Sequence, residues 1–305
     1  MNQWSASIDR QLWSGGGLEV QYLGSHSYHL DRSFYNNTPL LPGPGAVNAR
    51  RLNQKFGPIR TIANDEIANY ESMSVIFRHN RRNLHTLVSY TWSHTLDVST
   101  DSNGGGATMN PYWWKADYGN SNWDIRHRVV ATFVYDIPFF AVTNPILRGA
   151  FGNWQANGIV TLQSGLPFTV STSTDTANTA ASGTYRPNLV HTATANCGRG
   201  HLIGCIDASA FTVADLYPIA PTNYAYGNAG RNILFGPGSQ TVNFSVFKNF
   251  PLMERLKFQF RFETFGLFNR TNFGNPSATI NTSSFGNITS ASGARTIQLG
   301  AKLMF

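Results

Sequence analysis

Charge is what this sequence has least of. Only 13% of its 305 residues are Asp, Glu, Lys or Arg, about half of the ~25% usual in soluble domains. No run of ~18 uninterrupted apolar residues occurs, which excludes a membrane-spanning helix. The opening stretch MNQWSASIDRQLWSGGG has no basic region followed by an apolar one, so no signal peptide is expected there. Cysteine is limited to Cys197 and Cys205. Catalytic signatures are missing too: there is no GxSxG, HExxH, P-loop or GxGxxG after a strand, so no enzyme activity and no cofactor are expected. What is abundant is aromatic. The chain has 21 Phe, 12 Tyr and 7 Trp, and its 41% hydrophobic content excludes general disorder. With 28 Gly and 14 Pro, a long helical bundle is not expected either.

The pattern is that of strands with two unlike faces, apolar alternating with polar at a period of two. Along 256–268, Leu256, Phe258, Phe260, Phe262 and Phe268 share one parity, and Lys257, Gln259, Arg261 and Glu263 hold the other. One such face must be strongly apolar and the other wet. The last eleven residues repeat the pattern and end on Phe305. Further strands are predicted over 2–12, 18–23, 71–78, 84–92, 125–135, 154–163 and 241–248, nine in all.

Their connections alternate in length. Residues 13–17, 79–83 and 249–255 are short, and 137–153 is intermediate. Residues 25–70, 93–124, 164–240 and 269–294 are long and rich in Gly, Asn, Ser, Thr and Pro, as surface segments are. Tight turns on one side and long loops on the other are the habit of a transmembrane β-barrel. Trp4, Tyr22, Tyr90, Trp92, Tyr135 and Trp154 fall near strand ends on the apolar parity, as interfacial girdles require. A soluble β-sandwich binding module would also alternate. Scarce charge and one-sided loops favour the antiparallel transmembrane barrel.

Several stretches then resemble a known family: SYTWSHTLD (89–97), DIRHRVVATFVYDIP (124–138), WQANGIVTLQSGLPFTV (154–170), RPNLV (186–190), GNAGRNILFGPG (227–238), FSVFKNF (244–250) and FRFETFGLFNRTNFGNP (260–276). Together they resemble the C-terminal barrel of Oar-like TonB-dependent outer-membrane transporters. The resemblance covers essentially residues 1–305. It implies a solute-importing barrel in the outer membrane of a Gram-negative bacterium, and glycans, peptides and metal chelates are all plausible cargo. The C-terminus would be periplasmic and the long loops extracellular. Phe305 matches the last position of the signal read by the barrel-assembly machinery. Partners would include outer-membrane lipid and lipopolysaccharide, the TonB system and the remaining barrel and plug. Nine strands fall short of a 22-stranded barrel, so an N-terminally truncated chain lacking plug, TonB box and signal peptide is expected. A structural or adhesive outer-membrane protein is the other reading.

Candidate contacts follow from these placements. Tyr112, Trp113, Trp114, Tyr118 and Trp123 cluster in one long loop, where they suit either solute stacking or rim packing. Arg126, Arg128, Lys257, Arg261, Glu263 and Lys302 would face the lumen, toward a plug or a passing solute. An exterior loop and an even cysteine count favour a Cys197–Cys205 disulfide over free thiols. His26 and His29 lie close together, and Asp97, Asp101 and Asp117 share a loop without EF-hand spacing. No metal site is expected at either. Net charge is +7, but its basic residues are dispersed, and Arg78, Arg81 and Arg82 mark a solvated turn, so no nucleic acid is expected.

Overall fold

The computed structural model describes all residues except 101–107, 139–148, 150, 182, 254 and 255. Nine long strands among the described residues form one antiparallel meander: β1 (Asn2–Trp13), β2 (Gly16–Asn36), β3 (Ile59–Arg81), β4 (Leu84–Asp97), β5 (His127–Asp136), β6 (Trp154–Gln163), β7 (Ser239–Pro251), β8 (Lys257–Phe265) and β9 (Thr296–Met304). Each pairs only with its sequence neighbours, so the order runs β1 to β9 without crossover and the sheet does not close on itself. A two-residue strand, Gly119–Asn120, adds to the end of β4. The fold is an all-β antiparallel barrel wall, partial rather than complete.

Register carries the two-faced pattern across the whole sheet. Paired residues of antiparallel strands point the same way. Phe244 pairs with Gly158, Gly158 with Phe133, Val246 with Phe262, and Phe262 with Leu299. Val88 pairs with Ala131 and Phe77, Phe77 with Leu18, and Val20 with Ile8. The same bookkeeping places Ser7, Gln21, Ser74, Thr91, Arg128, Gln163, Ser245, Glu263 and Gln298 on the opposite face. A slip of one residue at any strand would flip its apolar set to the wet side. Much of the apolar face is uncovered by protein, Ile8, Leu299 and Leu303 being exposed. Water does not tolerate so continuous an apolar surface on a monomer; a bilayer requires it.

Aromatic rings mark both limits of this face. Trp4, Tyr22 and Trp92 stand toward the long connections, and Trp13, Tyr135, Trp154 and Phe250 toward the short ones. Trp4 and Trp13 are nine residues apart in sequence. At ~3.4 Å per residue and a tilt of ~40°, that spans roughly 23 Å, close to the ~25 Å apolar band of such barrels. Gly24 and Gly16 seat the Trp4 and Trp13 indoles, which occupy the space a Cβ would need. Lys248, the one lysine on this face among the described residues, is buried at the turn end. Its ammonium lies 5.3 Å from the Trp154 and Phe250 ring centres and donates to the Gly152 carbonyl.

The alternation of connections holds in the strand order: 14–15, 82–83, 137–153 and 252–256 join strand ends on one side of the sheet, and 37–58, 98–126, 164–238 and 266–295 join those on the other. Two expectations change. β2 and β3 are 21 and 23 residues long, not six and eight. They continue as a paired ribbon, Ser27↔Ala68 to Asn36↔Ile59, past the last residue of β4. That part is polar and irregular, with register shifts at Tyr28/Leu30 and Leu30/Asp31, so period two fades where no membrane enforces it. The second change concerns the long loops. They are not mere surface segments, because they hold the chain's buried apolar core. Phe168, Val170, Cys205, Ile206, Ala210, Phe211, Ala229, Leu234 and Ile280 pack together, drawn from 164–238 and 266–295. A barrel wall has lipid on one side and a lumen on the other, so any conventional core must form in its loops.

Candidate functional site

Where the loops meet the strand ends, a buried polar hub holds the cap in place. Arg231 reaches the Asp97 carboxylate at the tip of β4 and also donates to the Asp97 carbonyl (2.6 Å) and the Asp117 carbonyl (2.7 Å). Arg186 pairs with the Asp117 carboxylate and donates to the Ala116 carbonyl at 3.0 Å. The other Asp117 oxygen accepts the Met109 amide at 2.9 Å. Asp124, with no exposed surface, accepts from Arg126 at 2.6 Å and from the Thr95 amide at 2.8 Å. Next to them Asn232, in the left-handed region at φ 54°, donates to the Asn120 carbonyl and the Asn122 side chain, both at 2.7 Å. Every one of these carboxylates has a cation or an amide donor, the condition for burying charge.

A second cluster lies on the ribbon. The register shift at Leu30/Asp31 leaves Asp65 out of the ladder and aims it at Arg32, which grips it in a two-pronged pair at 2.8 and 2.7 Å. The Arg32 hydrogen bond holds the Asp65 carboxyl below its ordinary pKa. Arg32 also donates to the Pro111 carbonyl at 3.1 Å and stacks on Phe34. Glu66, the neighbouring residue, is only 2% exposed, and one of its carboxyl oxygens has no partner. Burial pushes its pKa up to about 8, with Asp97 and Asp65 adding to the rise and Arg32 and Arg231 opposing it. It carries a proton at neutral pH.

This scaffold presents the predicted loop aromatics. Tyr112 donates to the Thr38 carbonyl at 2.8 Å, and the Tyr118 hydroxyl accepts from Asn69, so one ties the loop to the 37–58 connection and the other to β3 where it pairs with β4. Trp114 sits in a short 3-10 turn beside Lys115. Trp113 and Trp123 stand free at 61% and 72% exposure. The set thus splits into two anchors, one packed ring and two open ones.

Of the residues predicted for the lumen, Arg128, Lys257, Arg261, Glu263 and Lys302 share the polar sheet face. Arg261 donates to Gln259 at 2.6 Å and covers the Phe247 ring. Arg126 lies one residue before β5 and is committed instead to Asp124 and Asn120. Arg78 and Arg81 belong to β3, and Arg78 pairs with Glu19 at 2.6 Å, leaving Arg82 in the turn. Cys197 and Cys205 are joined by a disulfide, and Cys205 is part of the loop core. His26 bonds the Asn69 side chain, and His29 faces the Asn64 carbonyl at 3.3 Å. Asp97 and Asp117 are arginine partners, and Asp101 lies outside the described residues. Phe305 is exposed just beyond β9.

The family model for an outer membrane beta barrel domain matches residues 1–298. The chain belongs to that family. Its place is therefore the outer membrane, with the uncovered apolar sheet face against lipid. No curated protein matches the sequence. Among solved structures it is similar to the closed form of the ferric-catecholate import receptor Fiu from E. coli K12. Sequence identity is 13% and the TM-score 0.38, over 99% of this chain and 34% of that one. The chain thus spans about a third of the receptor's length, and at that score no functional property transfers.

Sequence reasoning missed the hub. Most of its residues lay inside the stretches singled out, Asp97 in SYTWSHTLD, Asp124 and Arg126 in DIRHR, Arg186 in RPNLV, Arg231 and Asn232 in GNAGRN, whereas Asp117 lies outside them. The signal was an Arg or Asp in each, with no periodicity around it to explain the charge.

Proposed function

We propose that the chain is the C-terminal wall and loop cap of a TonB-dependent active transporter of the Oar-like type. The observation that carries this reading is the cap: four long connections depart from one side of the sheet, the buried arginine–aspartate hub fixes two of them, 98–126 and 164–238, to the end of β4, and the first of these presents Trp113 and Trp123 to solvent. In this reading the short turns and Phe305 are periplasmic, the cap is extracellular, and a scarce solute (a glycan, a peptide or a metal chelate) is captured there. Among the described residues β1 and β9 each keep one edge without a strand partner. In a bilayer such edges need partners, and the rest of a 22-stranded, plugged barrel would supply them. Arg128, Lys257, Arg261, Glu263 and Lys302 then face the plug or the passing solute. The barrel does no covalent chemistry. Lipopolysaccharide surrounds it, and the assembly machinery reads Phe305.

Uptake by intact cells tests this. Cells carrying the full gene, with and without a functional TonB system, are offered labelled oligosaccharides, peptides and metal chelates. One class should be accumulated only when TonB works. Losing one open indole, Trp113→Ala or Trp123→Ala, should weaken capture ~2–10-fold, the worth of one aromatic contact. TonB-independent surface binding without accumulation would overturn transport in favour of adhesion.

A further inference from the structure

We propose that the outward sheet face carries, at its loop end, a binding site for a phosphorylated glycolipid of the outer leaflet, with Arg270 as the phosphate-binding residue. The proposal rests on the reading above that the long connections are extracellular. Two cavities, of about 430 and 330 Å³, open side by side there and meet at Gln240 and Arg270. The smaller is lined by Val129, Leu162 and His127, and the larger by Val242 and Phe268. Val129, Leu162 and Val242 lie in register with the lipid-facing row of β5, β6 and β7.

The position of Arg270 is built. Beyond β8 the chain turns at Asn269 (φ 50°) and runs back along the end of β7. There the Leu267 amide donates to the Val242 carbonyl at 2.7 Å, and Asn272 brackets Gln240, accepting its amide at 2.9 Å and donating to its carbonyl at 3.1 Å. These bonds lay Arg270 across the rim of the apolar face. Arg32, Arg126, Arg186 and Arg231 each pair with a carboxylate, Arg60 with the Ser33 hydroxyl, and Arg50 and Arg51 with carbonyl oxygens. Arg270 has no hydrogen bond or ion pair among the described residues.

A free guanidinium above a hydrocarbon wall selects for an amphiphile. The planar fork of Arg matches phosphate in two-pronged fashion, and cations at a membrane boundary engage headgroups of opposite charge. A soluble anion would have no use for Val129, Leu162 and Val242. The leaflet that meets this end of the sheet is the one built of acylated, phosphorylated glucosamine lipid, so the acyl chains lie on the apolar floor and a phosphate meets Arg270.

Full-length protein in nanodiscs tests this by native mass spectrometry. Diphosphorylated lipid A, its dephosphorylated form and inorganic phosphate are the probes. Wild type should hold the diphosphorylated lipid ~10-fold more tightly than R270Q, the scale of one lost charged hydrogen-bond pair, and R270K should fall between. The dephosphorylated lipid should not distinguish them, and millimolar phosphate should not compete. Equal retention by wild type and R270Q would overturn the proposal, as would displacement by phosphate alone. Heat-modifiable gel migration of R270Q confirms folding. An L41C variant, labelled on intact cells with an impermeant maleimide, separates the two readings. Labelling without a lipid preference overturns the lipid site alone, and absence of labelling overturns the orientation beneath it.

Discussion

The sheet and the cap are built on opposite rules. In the sheet the large apolar side chains point outward and stay uncovered by protein, as Ile8, Phe262 and Leu299 do. In the cap Phe168, Val170, Phe211 and Leu234 point inward and are buried. The sheet spends its polar groups on a regular ladder and a wet face. The cap has little regular structure and fixes its backbone with side chains instead: Asp97, Asp117, Asp124, Asn120 and Asn232 serve as partners for amides, carbonyls and arginines. One chain therefore contains a solution to lipid and a solution to water, and the hub is the seam between them. Each rule follows from the solvent: hydrocarbon demands that every backbone group be paired by neighbouring strands, whereas water permits irregular backbone provided that its buried parts find partners.

The sharpest probe of the seam is pH. Glu66 has an ordinary pKa of 4.5 and one of about 8 in the folded protein. Between those values the folded state holds a proton that the unfolded chain has released, so stability falls as pH rises through the window and is lowest above it. The full swing is on the order of 5 kcal/mol at ~1.4 kcal/mol per pH unit. Hydrogen exchange of the ribbon amides (59–68 and 27–36) should quicken from pH 5 to 8.5 beyond its chemical pH dependence, and Glu66→Gln should flatten that excess. A ribbon whose protection ignores pH in both proteins would remove Glu66 from the seam.

Breaking the hub comes next. Arg231→Ala leaves the Asp97 carboxylate buried without its cation, a loss of ~3–5 kcal/mol. The damage should be local. Proteolysis within 164–238 should accelerate while the sheet keeps its heat-resistant gel mobility. If both regions failed together, cap and sheet would be one cooperative unit and the contrast drawn above would collapse.

The third probe reverses the rules within the sheet. Phe262→Arg places a cation on the lipid face near mid-strand and should cost ~2–4 kcal/mol, whereas a charge on the wet face is far cheaper. Ser245→Arg on that wet face should therefore leave the urea midpoint in lipid nearly unchanged. Equal losses from the two would erase the distinction between the faces, and a larger loss from Ser245→Arg would mean that they are assigned the wrong way round.

How much of this was legible depends on the rule at work. Strand alternation is local, so Leu256–Phe262 or Val129–Tyr135 declare both their strand and their faces, and eight pairings then agree. The tight turns at 14–15 and 82–83 were equally plain. The ribbon was not, because Asp31, Arg32, Asp65 and Glu66 break the alternation that identified the rest of β2 and β3. Nor was the hub, whose partners Asp97 and Arg231 lie 134 residues apart with nothing in sequence to couple them. The loop aromatics were visible as a group, but their division into tethered Tyr112 and Tyr118 and open Trp113 and Trp123 depends on distant partners, Thr38 and Asn69.

One more consequence comes from the uneven connections. Every long connection departs from one strand and returns to the adjacent one, only ~5 Å away. Its two ends are held together by the ladder whatever lies between them. Doubling the length of such an insertion costs only ~0.6 kcal/mol of closure entropy, and none of that cost falls on the register below. The wall therefore behaves as a frame with exchangeable panels. Residues 164–238 can drift, lengthen or be replaced wholesale while Trp4, Trp13 and their glycine seats stay where the membrane requires them. Novelty in the loops can accumulate on one side of the membrane without renegotiating the passage through it.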